Sequence, residues 1–186
     1  MPTNGTGNLN QHRPAHDMHM DQTQRKLFQS AVEQFADSIY RVAYRMSGSH
    51  ELAQELVQET FLAAWKNLHQ IQQPDRIRYW LMGILRNQFT KQLSRENRHR
   101  HEVLNLEPVT AAEDRVLKDS LQTAIARLDE DQRLPILLTI MEGWSTEEVA
   151  ELLEVPRGTI LSRLHRGRQK LKTILAPDWE SEAKHL

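Results

Sequence analysis

Apolar residues recur every three or four positions along most of the chain, which is the spacing of an amphipathic helix. The first run predicts a helix over residues 24–46, and the Ser-Gly-Ser triplet after it breaks the pattern. A second run predicts a helix over residues 51–68, ended by a polar loop that contains Pro74. A third helix is predicted to begin near Arg76, with Trp80, Leu81, Ile84, Leu85 and Leu93 turned inward. Three such helices without an alternating strand pattern indicate a compact all-helical domain.

The second half of the chain shows the same periodicity after an interruption. Over residues 97–112 polar and charged residues dominate and Pro108 interrupts any helix, so this stretch is the predicted linker. Beyond it, helices are predicted over residues 113–128, 130–141, 146–153 and 157–175. Pro135 removes a backbone donor inside the second of these, so we expect that helix to start late or to bend there.

The predicted fold class is therefore all-α, with two small helical domains joined by a flexible linker. The first domain is predicted over residues 23–96 and the second over residues 113–176, on either side of the linker. Residues 1–22 are rich in Asn, Gln, His, Gly and Pro and bury almost nothing apolar, so they are predicted to be disordered. Residues 177–186 form a short C-terminal tail in this interpretation.

Composition limits the kinds of site and the cellular location that we expect for the chain. The 186 residues include no cysteine, which excludes disulfides and thiolate metal sites. No apolar run approaches the roughly 20 residues that span a bilayer, and the polar N-terminal segment lacks the apolar stretch of a signal peptide. We therefore expect a cytoplasmic protein with no direct membrane insertion.

The formal net charge of −1 hides two strongly basic segments. Residues 86–100 carry five Lys or Arg against one acid, and residues 157–172 carry six against none. The rest of the chain holds 13 bases against 24 acids, a balance near −11. Two basic surfaces on an acidic body favour two nucleic-acid contacts, although two solvated helix faces would give the same composition.

The stretch from Ser145 to Lys172 has the pattern of a helix-turn-helix. Ser145 and Glu148 have the spacing of a capping box, which fixes the start of a short helix. Pro156 fits a turn followed by the first position of a new helix, whose residues Ile160, Leu164, Leu171 and Leu175 fall on one side. This arrangement predicts a recognition helix for the major groove; the alternative is an antiparallel helix pair with a basic, solvated face.

The same stretch resembles region 4 of the sigma-70 family. Its extracytoplasmic-function members carry a motif like Pro-x-Gly-Thr-Val-x-Ser-Arg followed by Arg-x-Arg, matched here by Pro156, Gly158, Thr159, Ile160, Ser162, Arg163, Arg166 and Arg168. The segments 131–133 and 147–150 resemble further family landmarks. Leu161 is a departure, because many members have Lys or Arg at that position.

The first domain supplies a separate match, to region 2 of the same family. Residues 55–61, Glu-Leu-Val-Gln-Glu-Thr-Phe, resemble the signature Asp-Leu-Val-Gln-Glu-x-Phe, and residues 80–87 resemble Trp-Leu-x-x-Ile-x-x-Asn. Leu52 and Gln54 replace acids that are common in the signature, so this surface is less acidic than usual. The resemblance covers about residues 25–175 and leaves no room for the additional domains of larger members, which implies the extracytoplasmic-function type.

The resemblance implies a sigma factor that binds core RNA polymerase and directs promoter-specific initiation. The residues implied to bind the clamp coiled coil of the largest polymerase subunit are Glu55, Leu56, Gln58, Glu59 and Leu62. Those implied to bind and melt the minus-ten element, with a flipped-out base in the loop from residue 72 to 76, are Gln72, Gln73, Asp75, Arg76, Arg86, Asn87, Lys91 and Arg95. Those implied to read the minus-thirty-five element are Arg157, Thr159, Leu161, Ser162, Arg163, His165, Arg166, Arg168 and Lys170. Region 4 would also rest on the polymerase flap, and an anti-sigma factor is the other implied partner.

Two rival interpretations remain at this stage. A helix-turn-helix regulator that is not a polymerase subunit would bind duplex DNA tightly on its own, commonly as a dimer on paired half-sites. A nucleic-acid enzyme would need convergent acids or a phosphate-binding glycine loop, and His99 and His101 have no such surroundings. We therefore expect no enzyme activity, no cofactor and no metal site.

Overall fold

The computed structural model describes residues 22–71, 73–103 and 120–182, and its side chains are described through residue 95 in the second range and residue 175 in the third. These residues contain seven α-helices and no strand. The all-α prediction is confirmed.

Several sequence predictions fall outside the described residues. These are the disordered N-terminal tail as far as residue 21, the DNA-binding role of Gln72, and residues 183–186 of the predicted C-terminal tail. The same holds for residues 104–119, which include most of the predicted linker and the start of the first helix of the second domain.

The first domain is built from three helices. They are α1 (Gln22–Ser47), α2 (His50–Asn67) and α3 (Ile77–Val103), with short 3₁₀ turns over Leu68–Gln70 and Pro74–Arg76 between α2 and α3. These helices begin within two residues of the starts that the periodicity predicts.

Small residues allow the helices of the first domain to pack closely. Ala43 on α1 and Ala53 on α2 are completely buried, and Leu81 and Leu85 of α3 belong to the same core. The Ser49 side chain accepts a hydrogen bond from Leu52 N at 3.2 Å and so caps α2. A side chain that satisfies a free donor at a helix start stabilises that end, so the turn between α1 and α2 is fixed locally.

The second domain has four described helices. They are α4 (Ser120–Ala126), α5 (Glu130–Ile136), α6 (Thr146–Leu153) and α7 (Arg157–Glu182), and a π-helical turn over Leu137–Met141 continues α5.

Pro135 is accommodated by a change of helix type. α5 begins at Glu130 as predicted, with Pro135 buried inside it. Two residues later the backbone widens into the π-helical turn, in which Glu142 N donates to Leu137 O at 3.2 Å, five residues back. Because proline has no N–H to donate, the regular ladder is already interrupted at this point, and the wider turn places Glu142 at the end of the segment.

Two helices extend beyond the limits drawn from the sequence. α3 continues to Val103, past the predicted domain end at residue 96, and α7 continues to Glu182, past the predicted helix end at residue 175. Polar residues end an amphipathic pattern without ending a helix, since Arg and Glu themselves have high helix propensity. The domain limits at residues 96, 113 and 176 stay a prediction.

A buried glycine brings α7 against α5. A Cβ atom at Gly167 would lie 3.0 Å from Ile136 Cγ1 and 3.5 Å from Gln132 Cβ. A larger residue fits this contact only if the Ile136 side chain yields by a few tenths of an ångström. Gly167 therefore helps to set the position of α7, the predicted recognition helix.

We expect Gly167→Val to destabilise the second domain by about 1 to 3 kcal/mol, because the added side chain overpacks the contact with Ile136. Gly158→Val is the matched control, since nothing lies within 4 Å of a Cβ atom at that exposed position of the same helix. Urea unfolding followed by circular dichroism measures both. Equal stabilities of the two variants would contradict the close approach of α5 and α7.

Candidate nucleic-acid and polymerase interfaces

The predicted capping box is present at the start of α6. Glu148 N donates to Ser145 Oγ at 3.1 Å, and Ser145 N donates to Glu148 Oε2 at 2.7 Å. The hydrogen bond from the Ser145 backbone lowers the pKa of the Glu148 carboxyl below its ordinary value. The carboxylate therefore stabilises the helix start in its charged form.

A tight turn connects α6 to α7. Glu154 ends α6 in the left-handed conformation with φ of 55°, and Val155 N donates back to Ala150 O at 3.1 Å. The Pro156 carbonyl accepts from Thr159 N at 2.9 Å. Pro156 thus lies directly before Arg157, the first residue of α7, where the predicted helix also begins. The pair α6 and α7, joined by this turn, has the form of a helix-turn-helix.

α7 buries one side and exposes the other. Ile160 and Leu164 are buried against the domain core, and Leu171 is partly buried, as the pattern predicts. An outer stripe, which we call the α7 outer face, comprises exposed residues three or four positions apart: Gly158, Leu161, Ser162, His165, Arg168 and Lys172. Leu161 is 47% exposed. The outer face is free in the structure for contact with a groove of DNA.

Other basic residues of α7 that are predicted to bind DNA lie beside this face and form ion pairs with acidic residues of their own domain. Arg163 Nε lies 3.1 Å from Asp131 Oδ2, and Lys170 Nζ lies 2.7 Å from Asp129 Oδ1. The hydrogen bond from Lys170 lowers the pKa of the Asp129 carboxyl. Such pairs contribute little to stability in solvent, so phosphate can replace the carboxylates at low cost.

Further along the same helix, Arg166 Nη2 lies 3.8 Å from Asp131 Oδ2, and at its start Arg157 Nε lies 2.7 Å from Glu147 Oε1. A hydrogen bond from the Thr146 hydroxyl lowers the pKa of the Glu147 carboxyl, with Arg157 acting in the same direction. Thr159 is partly buried near the start of the helix. The structure thus divides the predicted region 4 residues into an open outer face and a set held by carboxylates.

The predicted polymerase-binding residues share one side of α2, with one exception. Glu55, Gln58 and Glu59 are exposed, and Leu62 is 47% exposed beside them. Leu56 is only 3% exposed and belongs to the core. A direct contact of Leu56 with a partner is therefore corrected to an anchoring role, because its position on α2 turns it towards α1 and α3. We call the four exposed residues the α2 face.

The predicted minus-ten residues fall into two groups. Asn87, Lys91 and Arg95 follow one another at four-residue spacing along α3 and are all exposed, as are Gln73 and Asp75 before it.

The other two minus-ten residues contact the second domain. Arg76 Nη2 lies 2.7 Å from Glu151 Oε1, and the hydrogen bond to Glu151 raises the pKa of Arg76. Arg86 Nη1 donates to the backbone carbonyl of Leu152 at 3.2 Å. One part of the predicted DNA surface of the first domain is thus in contact with α6.

Glu142 forms an enclosed polar contact between the two domains. Its side chain is 4% exposed and accepts hydrogen bonds from Ser38 Oγ at 2.5 Å and from Arg41 Nε at 3.1 Å. Arg78 Nη2 donates to the Glu142 carbonyl oxygen at 2.5 Å and lies 3.9 Å from its carboxylate. A carboxylate removed from water needs such partners, so this contact holds α1, α3 and the π-helical turn together.

Aromatic residues extend the same contact. Trp144 is 5% exposed, and its ring stacks on that of Tyr79 with centroids 6.0 Å apart. The Arg78 guanidinium lies 5.0 Å from the centroid of the Trp144 ring, within cation–π range. Burial in this environment raises the pKa of the Tyr79 hydroxyl.

A cavity of about 410 Å³ lies between the two domains. Arg86 and Phe89 line it from the first domain, and Asp131, Leu134 and Arg163 line it from the second. One predicted DNA-binding arginine of each domain therefore faces this space.

Sequence reasoning missed the residues that join the domains, namely Ser38, Arg41, Arg78, Glu142 and Trp144. Glu142 and its α1 partners are separated by about one hundred positions in the sequence, 104 for Ser38 and 101 for Arg41. No local spacing signals such a pairing. Gly143 and Trp144 were interpretable from the sequence only as a separator between helices.

Comparisons with known proteins agree with this architecture. A model of Sigma-70 region 2 matches residues 31–99, and a model of Sigma-70 region 4 matches residues 118–171. The two matches cover more than half of the chain, which therefore belongs to the sigma-70 family. Members of this family are DNA-binding regulators that direct promoter-specific initiation of transcription.

The relatives belong to the extracytoplasmic-function (ECF) group of that family, and so does this chain. It is 36% identical to the ECF RNA polymerase sigma factor SigE of Mycolicibacterium smegmatis over 84% of its own length, and it spans 64% of SigE. It is 28% identical to the ECF RNA polymerase sigma factor SigW of Bacillus subtilis over 80% of its own length and 88% of SigW.

A solved structure shares the fold across both domains. The sigma factor RpoE of Bartonella quintana, crystallised in complex with the anti-sigma factor NepR, superposes with a TM-score of 0.71 at 28% identity. The match covers 81% of this chain and 98% of that one. Among the described residues of our chain, no helix has the length and apolar character that crossing a membrane requires.

We expect Ser145→Ala to cost about 1 kcal/mol of stability at neutral pH, because it removes the cap of α6. Glu148 has a lowered pKa in the folded chain, so its contribution is complete above the ordinary value of 4.5 and is lost as the pH falls through the folded-state value. Glu148→Gln still accepts the Ser145 N–H and should flatten the fall in stability between about pH 5 and pH 3. Urea unfolding at a series of pH values measures this effect, with Glu59→Gln on α2 as the control. A curve for Glu148→Gln that parallels the wild type would refute the role of the carboxylate.

Proposed function

We propose that this chain is a sigma subunit that grips core RNA polymerase through the α2 face and contacts a promoter with both domains. The observation that carries the proposal is that the two segments matching sigma regions fold into two units, each with an exposed basic helix surface. A single helix-turn-helix regulator needs only one of these surfaces. The second, on α3, suits the element that a sigma factor opens.

Polymerase binding is assigned to the α2 face. Glu55 and Glu59 lie one helical turn apart with Gln58 between them, and Leu62 adds an exposed apolar side chain next to the carboxylates. An apolar contact surrounded by charged groups has the composition of a specific protein interface, in which complementary charges select the partner. The partner assigned to this surface is the clamp coiled coil of the largest subunit, with the flap as a second contact for region 4.

The minus-ten surface separates DNA strands without covalent chemistry. Asn87, Lys91 and Arg95 form an exposed row along α3 that suits the phosphates of a single strand. The 3₁₀ turn over Pro74–Arg76 at the start of α3 presents polar groups to an extruded base. Binding of the unstacked base and of the strand offsets the few kcal/mol that extrusion costs. Promoter melting is thus driven by binding energy.

The minus-thirty-five surface is the α7 outer face. Ser162 and His165 present polar groups to base edges, and Arg168 and Lys172 suit phosphate contacts. Leu161 lies on the same face, at a position where many family members have Lys or Arg. Its exposed apolar side chain fits the 5-methyl group of thymine. Arg163 joins this surface once it leaves Asp131.

The remaining assignments follow from the class of protein. The chain acts by binding, with no catalytic step, cofactor or metal of its own, and it works in the cytoplasm where RNA polymerase and the chromosome are found. RpoE of Bartonella quintana is bound by an anti-sigma factor, and we assign a partner of the same kind to this chain. Its contact surface includes the basic residues of both domains.

The central test is transcription in vitro with core polymerase purified from the host. Wild-type chain is expected to direct initiation from a defined promoter, and Glu59→Lys to lower its affinity for core by roughly ten-fold or more through charge reversal in the α2 face. Glu33→Lys, an exposed glutamate on α1, is the matched control and is expected to bind as wild type. Equilibrium binding of labelled chain to core measures the affinities.

The outcomes of this test are distinct. Equal affinities of Glu59→Lys and the wild type would remove the α2 face from the proposal. Failure of the wild-type chain to bind core at all, combined with tight binding to duplex DNA, would favour a free helix-turn-helix regulator instead.

The role of Leu161 is tested by removing single methyl groups from DNA. Replacement of the contacted thymine by deoxyuridine in the minus-thirty-five element is expected to weaken holoenzyme binding about four-fold. This factor corresponds to the roughly 0.8 kcal/mol that burial of one methyl group contributes. In Leu161→Ala the same replacement is expected to have no effect, whereas Lys172→Ala weakens binding to both DNAs equally. Footprint titrations on both DNAs give these ratios. A penalty that persists in Leu161→Ala would assign the methyl contact to another residue.

A further inference from the structure

Two residues of the predicted minus-ten set, Arg76 and Arg86, contact the second domain of the same chain. Arg76, in the 3₁₀ turn directly before α3, and Tyr79, Gly83 and Arg86 of α3 are spaced by three and four residues and form one stripe. α6 and the residues before it contact all four members of this stripe.

The contacts run along the whole length of the stripe. Arg76 pairs with Glu151 at 2.7 Å, and the Tyr79 ring stacks on Trp144. A Cβ atom at Gly83 would lie 3.7 Å from Leu152 Cδ1. At the far end, Arg86 donates to the Leu152 carbonyl at 3.2 Å. α6 therefore covers part of this side of α3, and the Arg76 side chain keeps 44% of its exposure.

In the same arrangement, one predicted DNA-binding arginine of the second domain lies at the contact between the domains. Arg163 lines the cavity between the domains, which Arg86 lines from the opposite side. Both predicted arginines are thus only partly exposed. By contrast, the α2 face and the α7 outer face stay exposed, so this arrangement leaves polymerase docking open while it covers part of the minus-ten surface.

We call the arrangement in which α6 lies on α3 the closed arrangement. The carboxylate of Glu142 stabilises it. It is the most enclosed acidic group at the contact, with a side-chain exposure of 4%, and its partners Arg41 and Arg78 come from two helices of the other domain. Loss of its charge leaves these two arginines without their common counter-ion. Breaking this pair costs more than an exposed ion pair contributes, because the carboxylate is enclosed, while Arg41 and Arg78 keep 52% and 37% of their side-chain exposure.

The closed arrangement also carries a cost that favours release. Trp144 Nε1 is buried and has no hydrogen-bond partner among the described residues, and an unsatisfied buried donor is unfavourable. The surrounding contacts are mainly charged and polar, which is typical of interfaces between domains that separate. The contact is therefore suited to opening during function.

We propose that Glu142, gripped by Arg41, Arg78 and Ser38, is a latch that keeps the free chain in a self-masked state, and that region 4 must leave α3 before region 2 can bind the minus-ten strand. This inference rests on the proposed function of α3. The apparent affinity for DNA is then the intrinsic affinity reduced by the fraction of open molecules. Any condition that breaks the latch raises DNA affinity by the same factor as it raises that fraction.

Single-molecule energy transfer tests the latch directly. The chain has no cysteine, so His69→Cys after α2 and Thr173→Cys on α7, both exposed, accept a unique dye pair. In this background we compare wild type, Glu142→Gln and Arg41→Ala, with Glu33→Gln as the charge-matched control. Circular dichroism verifies that each variant is folded. Glu142→Gln keeps the size of the side chain and removes only its charge, so the fold is expected to survive.

The expected result is a mainly closed wild type and control, and about a ten-fold or larger rise in the ratio of open to closed molecules for both latch variants. The same proteins are titrated with a single-stranded oligonucleotide carrying the non-template minus-ten sequence. The gain in affinity is expected to equal the gain in open fraction.

Two results would overturn the latch: a wild type that is already open, or latch variants that stay as closed as the control. Opening of the variants without a gain in oligonucleotide affinity, while the wild type binds equally well, would overturn the masking. Opening with no binding by any protein would also overturn it, and would place the failure in the proposed DNA-binding role of α3, separately from the polymerase contact of α2.

Discussion

The arrangement of the two domains depends on the burial of one carboxylate. Glu142 lies at the end of a π-helical turn and accepts hydrogen bonds from Ser38 and Arg41, and Arg78 binds its backbone. A charged group with so little access to water is stable only with these partners in place. The relation of α6 to α3, and with it the accessibility of the minus-ten surface, follows from this contact.

Each domain also contains a local device that fixes its functional helix. In the second domain the capping box starts α6, the left-handed Glu154 turns the chain, and Gly167 lets α7 approach α5. In the first domain, alanines at the contact of α1 and α2 bring the helices close enough for α3 to pack beside them. These devices act within short segments, so both surfaces can be carried as rigid units while the domains move relative to one another.

Charge has two roles in this chain. On α7, Arg163 and Lys170 are paired with Asp131 and Asp129 near the surface, and such pairs exchange readily for phosphate because water already screens them. At the domain contact the carboxylate of Glu142 is enclosed, with a side-chain exposure of 4%. Acidic residues therefore act as exchangeable counter-ions beside α7 and as a structural contact between the domains. The degree of burial of the carboxylate decides between the two roles.

The sequence by itself determined the helices, the capping box, the family and the exposed rows on α2 and α7, because helix periodicity and end signals are encoded within a few residues. It also predicted Ile160 and Leu164 as core residues of α7. Only the tertiary structure decided that Leu56 is anchored in the core, that Arg163 faces Asp131, and that Glu142 joins two domains. These outcomes depend on side chains that are distant in sequence and adjacent in space, and on the removal of charge from water, which no local pattern of residues expresses.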